Sequence, residues 1–266
     1  MANEIRTQAP RFSVVLHSDA MKNLINQTLS DPTIRSRFIA DISSVVATNP
    51  TLKECEPTTI ITAGLTAASL NLPLAGNLGQ AHLVPYRDNK TGTMKAQFQV
   101  GWKGYVQIAQ RSGQLKTVGA KEVHKGELGG MNEFGEDIIT FSHQFDDAEV
   151  IGYFAYFELV NGFKKTLFMT KEQCLKHATR YSASFRNDRN KTSLWSTDTD
   201  TMGLKTVMKQ LLSKYAPLSV EMQKAILADQ SVINTDGTYE YVDNEQVEQP
   251  KTKTTIKNKI VKEEPI

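Results

Sequence analysis

Between residues 94 and 111 the hydrophobic period of the chain switches from two to helical, and no single element can span that switch. In MKAQFQV, Met94, Ala96, Phe98 and Val100 face one way and Lys95, Gln97 and Gln99 the other, as in a half-buried strand. Residues 80–87 read as a second strand, joined to the first by a polar turn ending in Lys90, Thr91 and Gly92. From Trp102 the apolar residues recur at helical spacing, which places Lys103, Gln107, Gln110 and Arg111 on one helix face. A hairpin feeding directly into a helix is therefore the unit around which the remainder must pack.

That helix opens on Gly101-Trp102-Lys103-Gly104. Glycines at a helix start permit close backbone approach, and the free N–H groups there favour an anion. A partly cationic stripe with Trp102 and Tyr105 beside it suits a ligand that carries phosphates and flat rings. The same pattern also describes an amphipathic helix packed on a hairpin with its polar side in water.

The flanks divide by local signals. Ser18 can cap a helix reaching about Leu29, and Asp31-Pro32 starts another on whose face Ile34, Phe38, Ile42 and Val45 fall. A third begins at Pro57 and carries Ile60, Ile61, Leu65 and Ala68. These helices suit either the core or contact with a neighbouring subunit. Further strands are expected at 116–124, 137–143, 151–160 and 164–169, with Asn161-Gly162 as a hairpin turn. Thr170 and Gln173 form a capping-box pattern for a helix to about Tyr181. Residues 182–199 read as a long polar loop, Asp200 as the cap of a helix through Tyr215, and 219–228 as a final short helix.

The expected class is α+β: an antiparallel sheet with hairpins, packed by helices. Its organisation is a flexible arm at 1–16, a helical segment at 17–72, a binding core at 73–228 and a polar tail at 229–266.

Net charge is only +2, but it is unevenly spread. Residues 176–214 hold eight Lys or Arg against three Asp, whereas 127–149 hold seven acids and no Lys or Arg. Such asymmetry points to a localised basic surface, although ordinary solvated helix faces also carry charge. Arg186, Asn187, Arg189, Lys191 and Trp195 in the polar loop, and Lys205 and Lys209 at i, i+4 on the following helix, are the candidates there.

Catalytic constellations do not assemble. No GxxxxGK[ST] pattern occurs, which disfavours ATP-driven chemistry. Cys55 and Cys174 lack metal or disulfide spacing, and the five histidines show no ligand pattern. Asp137, Asp146, Asp147 and Glu149 could suggest a metal-dependent nuclease, yet no cation accompanies them in sequence. No apolar run approaches the ~20 residues that span a bilayer, and no hydrophobic signal core is evident, so the expected location is the cytoplasm.

PLAGNLGQAHLVPY followed by QFQVGWKGYVQIAQRSG resembles the signature region of the RecT family of phage single-strand DNA annealing proteins, and the order of elements agrees from about residue 26 to 228. The resemblance implies an ATP-independent protein of homologous recombination, not an enzyme, that forms rings or helical filaments on DNA. It implies single-stranded DNA and a duplex annealing intermediate as ligands. A 5′-to-3′ exonuclease and the host single-strand-binding protein would be partners, the latter through the tail. No cofactor would be required, with magnesium at most modulating annealing in the bacterial host's cytoplasm. On that basis a DNA groove is expected between the 102–111 helix with its hairpin and the 186–209 segment. Lys103, Gln107, Gln110, Arg111, Arg186, Asn187, Arg189, Lys191, Lys205 and Lys209 would meet the backbone. Trp102, Tyr105 and Trp195 are base platforms or core.

Pairing complementary strands is downhill once they meet, so such a protein need supply no chemical energy. It must offset phosphate repulsion, keep the strand extended and leave base edges free, which favours contacts to the backbone. A passive strand-protecting protein would use the same contacts and slow the pairing.

Overall fold

A computed structural model describes residues 11–74, 76–88 and 91–241, with only the backbone of Ala183. Helices α1 (Phe12–Leu16), α2 (Asp19–Thr28), α3 (Pro32–Thr48) and α4 (Pro57–Ser69) come first. Ser18 and Asp31 cap α2 and α3 through their side chains, as the sequence suggests. Residues 1–10 of the expected arm lie outside the described residues, but the end of that arm folds: Leu16 of α1 is buried in the core. The stretch 59–67 of α4 contains no charged residue and is buried along its whole length, so α4 is a core helix rather than an exposed face.

Strands β1 (Ala81–Arg87) and β2 (Met94–Val100) form the antiparallel hairpin, with His82 opposite Gln99, Val84 opposite Gln97 and Tyr86 opposite Lys95. The inner face carries Ala96, Phe98 and Val100, all fully buried, and rests on α4, where Ala96 N–H donates to Thr59 Oγ1 at 2.9 Å. Burying a side chain such as Phe98 stabilises the fold by about 1.5–3 kcal/mol. Helix α5 (Trp102–Arg111) follows at once, and its opening glycines serve packing: a Cβ on Gly101 or Gly104 would strike the carbonyl of Gly79 or Gln80. The close backbone approach expected at this helix start is thus made by the protein's own chain.

Strands β3 (Leu115–His124), β6 (Val150–Leu159) and β7 (Lys164–Thr170) make a separate antiparallel sheet in the order β3-β6-β7, while β4 (Leu128–Met131) and β5 (Asp137–Ile139) form a small ribbon between them. Strand β5 is shorter than expected because the chain turns into a 3-10 helix at His143–Phe145. Helix α6 (Lys171–Tyr181) begins with the full Thr170–Gln173 capping box. The expected polar loop contains two short helices, α7 (Ala183–Arg186) and α8 (Leu194–Thr197). Helix α9 (Thr199–Tyr215) crosses the second sheet, with Asp198 rather than Asp200 as its cap. The Asp200 carboxylate instead accepts the Tyr153 hydroxyl at 2.7 Å.

After α10 (Val220–Ala228) the chain does not become a tail at residue 229. Phe98 N–H donates to Ser231 O at 2.9 Å and Gln230 N–H to Phe98 O at 2.8 Å, so this segment lies along the second edge of β2. Val232 and Ile233, in β8 (Val232–Ile233), are buried and pair with β9 (Tyr239–Glu240). Residues 242–266 of the expected tail lie outside the described residues.

Candidate nucleic-acid interface

The outer face of the hairpin is set by the period-two pattern of β2. On it lie Gln97 and Gln99, joined by a 2.9 Å hydrogen bond, together with Val84 and Tyr86; Gln97 is buried and donates to Gln230 O at 2.7 Å. Opposite stands the 182–196 segment. Between them lies a cleft of about 530 Å³, walled by those hairpin residues and by Ser184, Asn187, Asp188, Arg189, Asn190 and Leu194. A second hollow, of about 220 Å³, is walled by His177, Tyr181, Lys205, Lys209, Gln210, Ser213 and Asp229. Ser182, Trp195, Met202 and Gln230 border both, so the two hollows adjoin. One end is cationic and the other is lined mainly by amides and hydroxyls.

An ion triad sets the electrostatics of the cationic end. Lys205 Nζ donates to Asp229 Oδ1 at 2.9 Å and Lys209 Nζ to Oδ2 at 2.6 Å; Val100 N–H also donates to Oδ1 at 2.9 Å. The Asp229 side chain is wholly buried. Burial pushes its carboxyl pKa up, but the two ammonium groups outweigh this and hold it well below the usual carboxylate range. Burial, opposed by Asp229, draws Lys205 below the usual lysine range. Tyr105 is completely buried beside the triad; burial and then the Asp229 charge raise its pKa well above normal, while its hydroxyl has no hydrogen bond of ordinary geometry. His177 is held below its ordinary pKa by burial first, and then by Lys209, Lys214 and Arg180. The last three contributions report a positive potential in this hollow, suited to a phosphate.

The candidate residues separate into groups. Asn187, Arg189 and Trp195 wall the cleft, and Lys205, Lys209 and Trp195 wall the cationic hollow. Lys205 does not project from α9 as expected: its side chain is 7% exposed, because it neutralises Asp229. Lys209, with 28% exposure, retains access. Trp195 and Tyr105 are buried in the core cluster, Trp195 beside Phe185, so neither is an open platform for bases. Arg186 is exposed, yet its guanidinium donates to Thr179 O and Arg180 O and closes the end of α6. Lys191 is exposed in a left-handed backbone conformation.

Trp102, Lys103, Gln107 and Gln110 wall neither hollow. Lys103 lies 5.8 Å from the Trp102 ring, on the exposed side of α5, and Gln110 is also exposed. Arg111 is committed elsewhere: it donates to Leu70 O at 2.7 Å and Asn71 O at 3.1 Å, capping the end of α4. Helices α5 and α9 pack against each other, so α5 is not a wall of the depression, whereas the hairpin expected beside it is. The depression's walls are the hairpin, the 182–196 segment and α9.

Sequence reasoning missed Asp229, taken for the start of a tail, and His177 and Asp188. The alternation of β2 already turned Gln97 and Gln99 outward, and that was the available signal for the hairpin wall. Asp137, Asp146, Asp147 and Glu149 do not converge: among the described residues no group of three His, Cys, Asp or Glu is placed to hold a metal ion. No helix among them is long and apolar enough to cross a membrane.

Comparison with known proteins adds a lineage. The sequence model of the RecT family matches residues 36–255. An uncharacterised protein of Bacillus subtilis (strain 168), YqaK, is 40% identical over 253 residues, covering 91% of this chain and 81% of the relative. Protein RecT of Escherichia coli (strain K12) is 27% identical over 246 residues, covering 87% and 88% respectively.

Proposed function

The chain belongs to the RecT family, whose membership supports single-strand DNA annealing in recombination, and we propose that it anneals by gripping the DNA backbone in the depression formed by these adjoining hollows, between the hairpin, the 182–196 segment and α9. What supports this reading most is the division of chemistry within that depression. Lys209 and the field around His177 meet phosphate, while Gln99, Asn187 and Asn190 offer uncharged hydrogen bonds to sugar and phosphate oxygens. Two acids border the depression, and both are occupied: Asp229 by lysines and Asp188 by neighbouring donors. The lysines neutralise the first, and the donors around the second hold its oxygens within the loop.

The protein acts as a binder rather than an enzyme in this reading. It uses no nucleotide, and magnesium only modulates pairing. It assembles as rings or helical filaments on DNA, beside a 5′-to-3′ exonuclease and the host single-strand-binding protein.

The test is the pairing rate of two labelled complementary oligonucleotides, with and without protein, in the absence of ATP. Acceleration is expected. Retarded pairing despite strand binding would instead indicate a passive protecting protein. Lys209→Gln should lower the slope of log K against log salt by about 0.7, one phosphate on a single strand. An unchanged slope removes Lys209 from the interface.

A further inference from the structure

The 182–196 segment is rich in exposed polar side chains, yet it holds a defined course. Asp188 explains this. Its Oδ1 accepts Thr192 N–H at 2.8 Å, and its Oδ2 accepts Ser193 N–H at 2.9 Å and the Ser196 hydroxyl at 2.6 Å. These bonds close a turn around Lys191, whose φ of +53° is a conformation that L side chains rarely adopt. They also tie that turn to the first residues of α8, where Trp195 anchors it in the core. Two exposed cations sit on the turn, Arg189 on the cleft wall and Lys191 at its bend.

We propose that Asp188 is a positioning residue for the interface: its carboxylate knots the 188–196 turn so that Arg189 and Lys191 are presented to the strand's phosphates. The proposal rests on the annealing function argued above. A carboxylate on a DNA-facing wall would ordinarily repel phosphate. Here both oxygens are taken up by N–H and O–H donors, which also hold the carboxyl well below its usual pKa through the Ser193 and Ser196 bonds. The carboxylate stays ionised, with its oxygens bonded inside the loop. A neutral amide could not replace it in full, since it offers one acceptor oxygen where two are used.

The experiment uses the full chain and a labelled single-stranded oligonucleotide, with affinity measured across a salt series and thermal unfolding recorded for each variant. Asp188→Asn should weaken binding about tenfold at low salt and lower the salt slope by about 0.7–1.4, the value of one or two phosphates. Asn tolerates the left-handed conformation, so Lys191→Asn removes charge without changing the turn. In an Arg189→Gln/Lys191→Asn background, Asp188→Asn should cost less than about twofold more, because the cations it presents are gone; a merely structural role would cost the same in both backgrounds. Ser196→Ala, which removes one of the bonds, should give a smaller loss in the same direction, and it decides the matter alone if Asp188→Asn does not fold. A wild-type affinity and slope in folded Asp188→Asn or in Ser196→Ala, or equal losses in the two backgrounds, overturns the role of Asp188. Failure of the wild-type protein to bind the oligonucleotide overturns the annealing reading as well.

Discussion

Lys205 and Lys209 show how little spacing says about the work of a side chain. Both occupy one helix face, one turn apart, yet the first is sealed against Asp229 and the second reaches the hollow. Removing Asp229 would leave a buried ammonium unpaired. Asp229→Asn should therefore destabilise the fold by about 3–5 kcal/mol in denaturant unfolding; a loss under about 1 kcal/mol would mean that the triad is not buried as described. Because the folded carboxyl lies below its unfolded value of about 3.9, its contribution is present above that pH and is lost as pH falls through the folded pKa. His177 offers a test at milder pH. Its pKa is lowered, and its protonation adds charge to a hollow walled by Lys209 and Asp229, with Lys214 and Arg180 close enough to act on the ring. Strand affinity should rise as pH drops from about 7.5 to about 5.5, and His177→Gln should flatten that rise, leaving a residue from His82 beside Lys205. The free protein should show the opposite sign. A His whose folded pKa is lowered loses stability as pH falls below its unfolded value of about 6.5. Parallel affinity profiles for the two proteins would exclude His177 from the site.

The strongest element-level departure from sequence expectation is the segment after α10. Residues 230 and 231 pair with β2, and the segment buries Val232 and Ile233 and delivers Asp229 to the lysines. A chain ending at residue 241 keeps this segment and serves as the reference. One ending at residue 228 should lose several kcal/mol, on the scale of about 2–5 kcal/mol for each large core side chain removed. Equal midpoints would contradict this packing. The reason the segment was illegible is physical. The Thr170–Gln173 box, the Asn161-Gly162 turn and the alternation of β2 are fixed within a few residues, and each was readable. Asp229 meets Lys205 and Val100 only through the fold, and its own surroundings in sequence are polar, as in a tail. The cap of α9 failed for a similar reason: Asp198 and Asp200 are equivalent by local rules, and the Tyr153 hydroxyl claims the second. Arg111 and Arg186 looked like phosphate ligands because nothing local reveals that each closes the end of another helix.

Over the whole molecule, charge and shape are segregated. The acidic 127–149 stretch includes the β4–β5 ribbon, with Phe134 79% exposed, whereas the cationic hollow lies among α6, α9 and the Asp229 segment. A polyanion is therefore drawn toward one part of the surface and away from another, at a rate that falls with salt. In the proposed function no step needs chemical energy, since complementary strands pair spontaneously once their phosphates are screened and their bases are free. The most direct test is site-specific photocrosslinking of a labelled single-stranded oligonucleotide, with the photoreactive residue placed at Leu194 on the cleft wall or at Phe134 in the acidic ribbon. Crosslinking at Leu194 without ATP, suppressed by salt and absent at Phe134, is expected. Equal yields at both positions, or crosslinking at Phe134 alone, would contradict binding in the depression between hairpin and α9.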